Sequence, residues 1–223
     1  MESGVLARFF VCYNIVMKQL LFIHGGEAYS DPHDYNAALE KAEVSPEYKE
    51  KKRWHYVPSL QDALGNEWEI IRPDMPTTDN AKYEHWKIWF EKYIPYVHDG
   101  VVLVGHSLGA MFLSRYLSEN IFPVKVSKLF LLAGEFTRRG NKKPGEEDGE
   151  FFYTHLSNFK QLDQVANELY LVHSEDDPVV PFENIGKFAE HLPSARLITF
   201  KDQGHFWGEE FFELVNIMKS TGK

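Results

Sequence analysis

Gly105-His106-Ser107-Leu108-Gly109 has the residue types and spacing of a turn that presents a serine hydroxyl. It follows the apolar run Val101–Val104 and opens a helical pattern. A serine attacks a carbonyl carbon only when it is exposed and paired with a base. A tight strand-to-helix turn provides the exposure, and glycines on both sides are needed where a side chain would collide with neighbouring elements. The helix N-terminus also aims the Leu108 amide at a developing oxyanion. The glycine-x-serine-x-glycine pattern alone is weakly specific, and a plain turn at a helix start is the alternative. Its place between a buried strand and a helix makes Ser107 the candidate nucleophile.

Such a serine needs a base and an orienting acid, expected in the order serine, acid, histidine. The last strand-like run ends in Phe200-Lys201-Asp202-Gln203-Gly204-His205-Phe206, which sets His205 on a loop able to reach a serine. Nine other histidines compete. His33, His55, His85, His98, His155 and His191 have no link to strand ends. His24 and His106 belong to other motifs, and His173 closes a strand beside the acid. For the acid, Asp177 precedes Pro178, whose fixed φ sets a turn pointing back to the sheet end. Asp176 reads as a turn cap or a water-facing group, and Glu135, after an earlier strand, is a rival. The acid's role is to fix the imidazole tautomer and stabilise the imidazolium.

His24-Gly25-Gly26-Glu27 follows the first core run. Paired glycines let the backbone approach a substrate oxygen closely, so Gly26 is expected to supply a second oxyanion amide beside Leu108. Glu27 is the one-residue alternative, and a turn with glycines for geometry only is another. Residues 136–160 begin rich in charge and glycine and end in aromatics. They suggest a flap in which Phe151, Phe152 and Tyr153, with Trp207 after the histidine, contact substrate; rings filling the core beneath a loop are the other reading. Asp31-Pro32-His33-Asp34 offers ligand types but reads as a turn and helix cap, so neither metal nor cofactor is expected.

Strand-length apolar runs alternate with amphipathic stretches, the pattern of parallel strands joined by helices. The runs are Gln19–Ile23, Glu69–Ile71, Gly100–Val104, Lys128–Leu132, Glu168–His173 and Arg196–Phe200. Helical spacing marks Tyr83–Val97, Ser107–Glu119, Phe182–His191 and Glu209–Met218. The polar connection Tyr29–Asn66 reads as one or two helices, with Tyr48–Arg53 as a solvated face. The expected fold class is α/β: a three-layer sandwich around a mostly parallel sheet of about six strands.

The 223 residues suffice for one well-filled core. Hydrophobic residues form 43% and charged residues 26%, an ordinary globular balance. The formal charge of −9 argues against nucleic acid or anionic lipid as partner. Cys12 is the sole cysteine, so no internal disulfide forms and a reducing cytoplasm is expected. Residues Val5–Val16 are apolar but too short to span a bilayer. Residues 1–16 read as a dispensable extension ahead of a single domain over 17–223, with a cleaved leader or an edge strand as alternatives.

The strand with its glycine pair, the serine elbow, Glu175-Asp176-Asp177-Pro178-Val179-Val180-Pro181 and Asp202–Phe206 come in the order and spacing of α/β hydrolases. More narrowly, the chain resembles the small serine hydrolases related to retinoblastoma-binding protein 9, over roughly residues 18–220. That resemblance implies Ser107, Asp177 and His205 as a triad. The longer Tyr29–Asn66 connection and the composition of the flap depart from it, so substrate identity does not carry over. The predicted chemistry is two-step acyl transfer from a small-molecule ester, or less readily an amide, to water. A protein-binding module on a hydrolase scaffold and another triad reaction such as perhydrolysis are the rivals; nothing in the sequence indicates a protein partner.

Overall fold

The computed structural model describes residues 17–29, 31–42, 56–135, 151, 159–207 and 212–220. Six strands, β1 (Lys18–Ile23), β2 (Trp68–Ile71), β3 (Val101–His106), β4 (Val126–Leu132), β5 (Ala166–Ser174) and β6 (Arg196–Phe200), form one sheet in the order β2-β1-β3-β4-β5-β6. Every neighbouring pair is parallel. The strands match the apolar runs and extend most of them by one or two residues.

Successive side chains of a strand point to opposite faces, so a strand covered on both sides must be apolar throughout. Leu21, Ile23, Leu103, Leu129, Leu131, Leu169 and Leu171 enter the core on one face. Their neighbours Leu20, Phe22, Val102, Val104, Phe130, Leu132, Tyr170 and Val172 enter the core on the other. The first face is covered by α3 (Tyr83–Glu91), α4 (Leu108–Glu119), α5 (Phe159–Leu162) and α6 (Glu183–His191). The second is covered by α2 (Tyr56–Leu64) and α7 (Phe212–Lys219). The result is the expected three-layer α/β sandwich.

The connection after β1 holds two helices, α1 (Pro32–Lys41) and α2. Asp31 caps α1 by accepting the His33 amide at 2.7 Å, with Pro32 in the first turn. The helix expected over Tyr83–Val97 stops at Glu91 and resumes as a short 3-10 turn, Ile94–Tyr96. Pro95 lacks the amide that would bond back to Glu91. Tyr48–Arg53 and residues 1–16 lie outside the described residues.

The chain runs outward from β1 to β2 and then crosses back to β3. The gap between the C-terminal ends of β1 and β3 is therefore where the direction of winding changes, the usual place for a ligand in an open parallel sheet.

Candidate active site

Gly26 and Ser107 flank that gap, one after β1 and one after β3. Ser107 has φ 53° and ψ −120°, a left-handed conformation that a side-chain-bearing residue adopts only when held there. Its amide donates to the Leu132 carbonyl at the end of β4 at 2.8 Å, and its own carbonyl accepts from the Ala110 amide at 2.9 Å. The glycines around it are sterically required. A Cβ at Gly105 would stand 2.6 Å from the Gly109 carbonyl oxygen, and one at Gly109 would collide with the carbonyls of Ile23 and His24. The same closeness presses the start of α4 against the end of β1.

That contact sets the amides. Glu27 donates its amide to the Thr78 carbonyl at 2.8 Å and is occupied. Among the described residues the amides of Gly26 and Leu108 donate to no acceptor. A Cβ at Gly26 would meet the Thr78 oxygen at 2.9 Å, so this turn has no room for a larger residue. His24 fixes the loop: Nδ1 donates to the Gly25 carbonyl at 2.7 Å, which leaves Nε2 to accept the Met75 amide at 3.0 Å.

Asp177 and His205 meet as their strand ends predict. His205 Nδ1 lies 2.8 Å from Oδ2 and 3.0 Å from Oδ1 of Asp177. The Asp177 carboxylate also accepts the amides of Val179 at 2.8 Å and Val180 at 3.0 Å, and His173 Nε2 lies 3.2 Å from it. Burial pushes this carboxyl up, but the contacts from His173, His205 and the two amides outweigh it and hold the group well below the usual carboxylate range. It is therefore ionised at neutral pH. Glu135 lies in a cavity wall, and both carboxylate contacts of His205 are to Asp177.

Two histidines set aside in the sequence have structural work here. His106, the residue before Ser107, donates Nε2–H to the His205 carbonyl at 2.8 Å, with the two ring centres 4.9 Å apart. Burial, and then the nearness of His205, lowers its pKa to about 3, so it stays neutral. It ties the histidine loop to the serine turn. His173 shares its Nε2–H between the Val180 carbonyl, at 3.0 Å, and Asp177. Its i, i+4 relation to Asp177 across a turn gives no sequence signal, because a strand running into a loop does not foretell which side chains fold back.

A cavity of about 330 Å³ opens at Ser107, Gly26 and Leu108, with walls including Tyr29, Met111, Glu135 and Val180. A larger one, about 990 Å³, lies at the opposite ends of the strands by Lys18 and Arg196 and holds none of the candidate residues. The expectation for Phe151 is corrected. Its ring is fully buried between Trp86 at 5.1 Å and Tyr83 at 6.0 Å, so it fills the core rather than lining the cavity at Ser107. Phe152 and Tyr153 lie outside the described residues. Trp207 is 62% exposed and stands edge-on to His205 at 5.5 Å.

Residues 43–218 match the sequence profile of a family described as serine hydrolase. The chain belongs to the serine hydrolase family. It is 24% identical to the serine hydrolase RBBP9 of Rattus norvegicus over 153 residues, 69% of this chain and 77% of that protein. With the YdeN hydrolase of Bacillus subtilis (strain 168) it shares 24% identity over 174 residues, 77% of this chain and 88% of that one. The crystal structure of the B. subtilis ydeN gene product superposes with a TM-score of 0.67 at 19% identity, covering 91% of this serine hydrolase and 98% of the other chain. Est1E from Butyrivibrio proteoclasticus superposes at 0.56 and 15% identity, over 91% of this chain and 86% of that one. These likenesses show an α/β-hydrolase fold. Among the described residues no helix is long and apolar enough to cross a membrane.

Proposed function

We propose that this serine hydrolase cleaves a small carboxylic ester through an acyl-enzyme, with Ser107 as nucleophile, His205 as general base and acid, and Asp177 as the orienting carboxylate. The observation that carries the reading is the engagement of His205 Nδ1 by Asp177 at 2.8 Å, with the His205 carbonyl tied to the residue before Ser107. Bonding Nδ1–H to the acid leaves Nε2 with the lone pair that accepts a proton.

In this mechanism Nε2 takes the Ser107 proton as Oγ bonds to the acyl carbon. The carbonyl π electrons move onto oxygen, and the amides of Gly26 and Leu108 stabilise the resulting oxyanion. Collapse of the tetrahedral intermediate breaks the bond to the alcohol oxygen, which receives the proton from His205. Water, deprotonated by His205, then attacks the acyl-enzyme, and the proton returns to Ser107 as the acid is released. An amide is the less favoured substrate because an amine leaves only when the general acid protonates it efficiently. The 330 Å³ cavity suits a small or medium acyl group. A cytoplasmic location fits the single cysteine.

A panel of p-nitrophenyl esters from acetate to decanoate, with aminoacyl anilides beside it, tests the reading on purified protein. Saturable ester turnover highest for short and medium chains is expected. Turnover of no ester with turnover of an anilide would reverse the substrate order, and reaction with neither, together with no labelling by a fluorophosphonate, would favour a binding protein on this scaffold.

A further inference from the structure

His205 sits in the loop after β6, which carries a backbone bond of its own from the Phe206 amide to the Gln203 carbonyl at 2.9 Å. Phe206 beside it has φ 56°, a conformation unfavourable for a residue with a side chain. Other ties come from outside the loop. His106 donates to the His205 carbonyl, and two more ties come from the turn that carries the acid. The Gln203 amide donates to Ser174 Oγ at 3.0 Å, and the Gly204 amide donates to Asp176 Oδ1 at 2.8 Å. The Ser174 hydroxyl donates in turn to the same Asp176 oxygen at 2.5 Å. The Ser174 hydroxyl is thus acceptor and donor at once, and one carboxylate oxygen joins the end of β5 to the loop after β6. Ser174 is fully buried at the end of β5, while Asp176 is exposed. The Glu175 amide continues the pairing to Phe200 at 2.8 Å, so the clasp extends the β5–β6 ladder into the loop.

We propose that Asp176 and Ser174 are positioning residues that hold the loop of His205 so that its ring stays on Asp177 and serves Ser107. The inference rests on the triad reading above. It assigns the two neighbouring aspartates different requirements. Asp177 must be charged, because it faces an imidazole that becomes cationic in the reaction. The hydrogen bonds that reach the Asp176 carboxylate among the described residues come from the Ser174 hydroxyl and the Gly204 amide, so an uncharged oxygen in the same place does the same work. The two hydrogen bonds, from Ser174 and then from Gly204, hold the Asp176 carboxyl below its ordinary pKa, which agrees with an acceptor role.

The test is steady-state kinetics on the full chain with p-nitrophenyl butyrate, alongside thermal melting, for Asp176→Ala, Asp176→Asn, Ser174→Ala and Asp177→Asn. Displacing a reacting group by about 1 Å costs up to ~100-fold in rate. Asp176→Ala is therefore expected to lower kcat about 10- to 100-fold with KM little changed, while Asp176→Asn returns it to within about threefold of wild type. Ser174→Ala, which deletes only a hydroxyl, is expected to lower kcat in the same way, and the double alanine variant to lose less than the product of the two. Asp177→Asn gains no such rescue. A turn-capping role alone would lower the melting temperature and leave the kcat of the folded enzyme untouched; wild-type kcat in folded Asp176→Ala or Ser174→Ala overturns the proposal. Equal damage from Asn and Ala at position 176 also overturns it, because charge would then matter. Failure of the triad reading shows separately, as unimpaired turnover in Asp177→Asn.

Discussion

Both carboxylate oxygens of Asp177 approach Nδ1 of His205, at 2.8 and 3.0 Å, although the two residues lie 28 positions apart in the chain. Two other carboxylates could have been the acid: Asp176 is next door, and Glu135, just past β4, lies in the cavity wall. Their partners differ, and kinetics should separate them. Asp177→Asn is expected to lower kcat roughly a thousandfold or more, because an amide presents a donor to Nδ1–H and selects the wrong tautomer. Asp176→Asn and Glu135→Gln should each cost far less. A thousandfold loss in Glu135→Gln would mean that the acid follows β4.

Much of this arrangement is legible in the sequence because strand ends in a parallel sheet are fixed by apolar runs. Once Gln19–Ile23, Gly100–Val104, Glu168–His173 and Arg196–Phe200 are strands, Gly26, Ser107, Asp177 and His205 must gather at one sheet edge. What the sequence does not disclose depends on chain reversals. His106 reaching the His205 carbonyl, His173 folding back toward Asp177, and Ser174 and Asp176 clasping the next loop all join residues whose proximity follows from turn geometry. Phe151 shows the opposite error: three adjacent aromatics read as a surface cover, but a ring that can pack against Trp86 and Tyr83 buries more area in the core.

The placement of Phe151 gives a stability prediction. Phe151→Ala should destabilise the fold by about 3–5 kcal/mol, the usual cost of deleting a buried ring. At a temperature where the variant is folded, kcat/KM should fall by a similar factor for acetyl and octanoyl esters. A selective loss for the long ester would place the ring in the acyl site after all.

Gly109 is predicted to tolerate no side chain. Gly109→Ala drives a methyl into the carbonyls of Ile23 and His24, so α4 must shift away from β1 at a cost of about 1–3 kcal/mol. The same shift moves the Leu108 amide away from Gly26, so kcat should drop with the melting temperature. Wild-type values of both would show that the helix start has slack.

The pH dependence of stability follows from His106. Its folded pKa, about 3, lies below the unfolded value of about 6.5, because burial, and then His205, disfavour the cation. The unfolded chain therefore takes up a proton that the folded one refuses, so stability is fully present above about pH 6.5 and declines as pH falls toward 3. Asp177, also depressed, adds a loss of the same sign once pH falls below about 4, its unfolded value. Melting temperatures from pH 7 to 4 should fall steadily in the wild type and more shallowly in His106→Asn. Parallel curves would show that His106 carries no such linkage.

The central claim is that Ser107 is the nucleophile, and intact-protein mass spectrometry after exposure to a fluorophosphonate tests it most directly. Wild-type protein should gain one phosphonyl adduct, localised by fragmentation to Ser107, and lose its esterase activity in proportion. Folded Ser107→Ala should gain none and retain at most about a thousandth of the wild-type kcat. An adduct on another residue, or near-wild-type turnover by Ser107→Ala, would contradict the account.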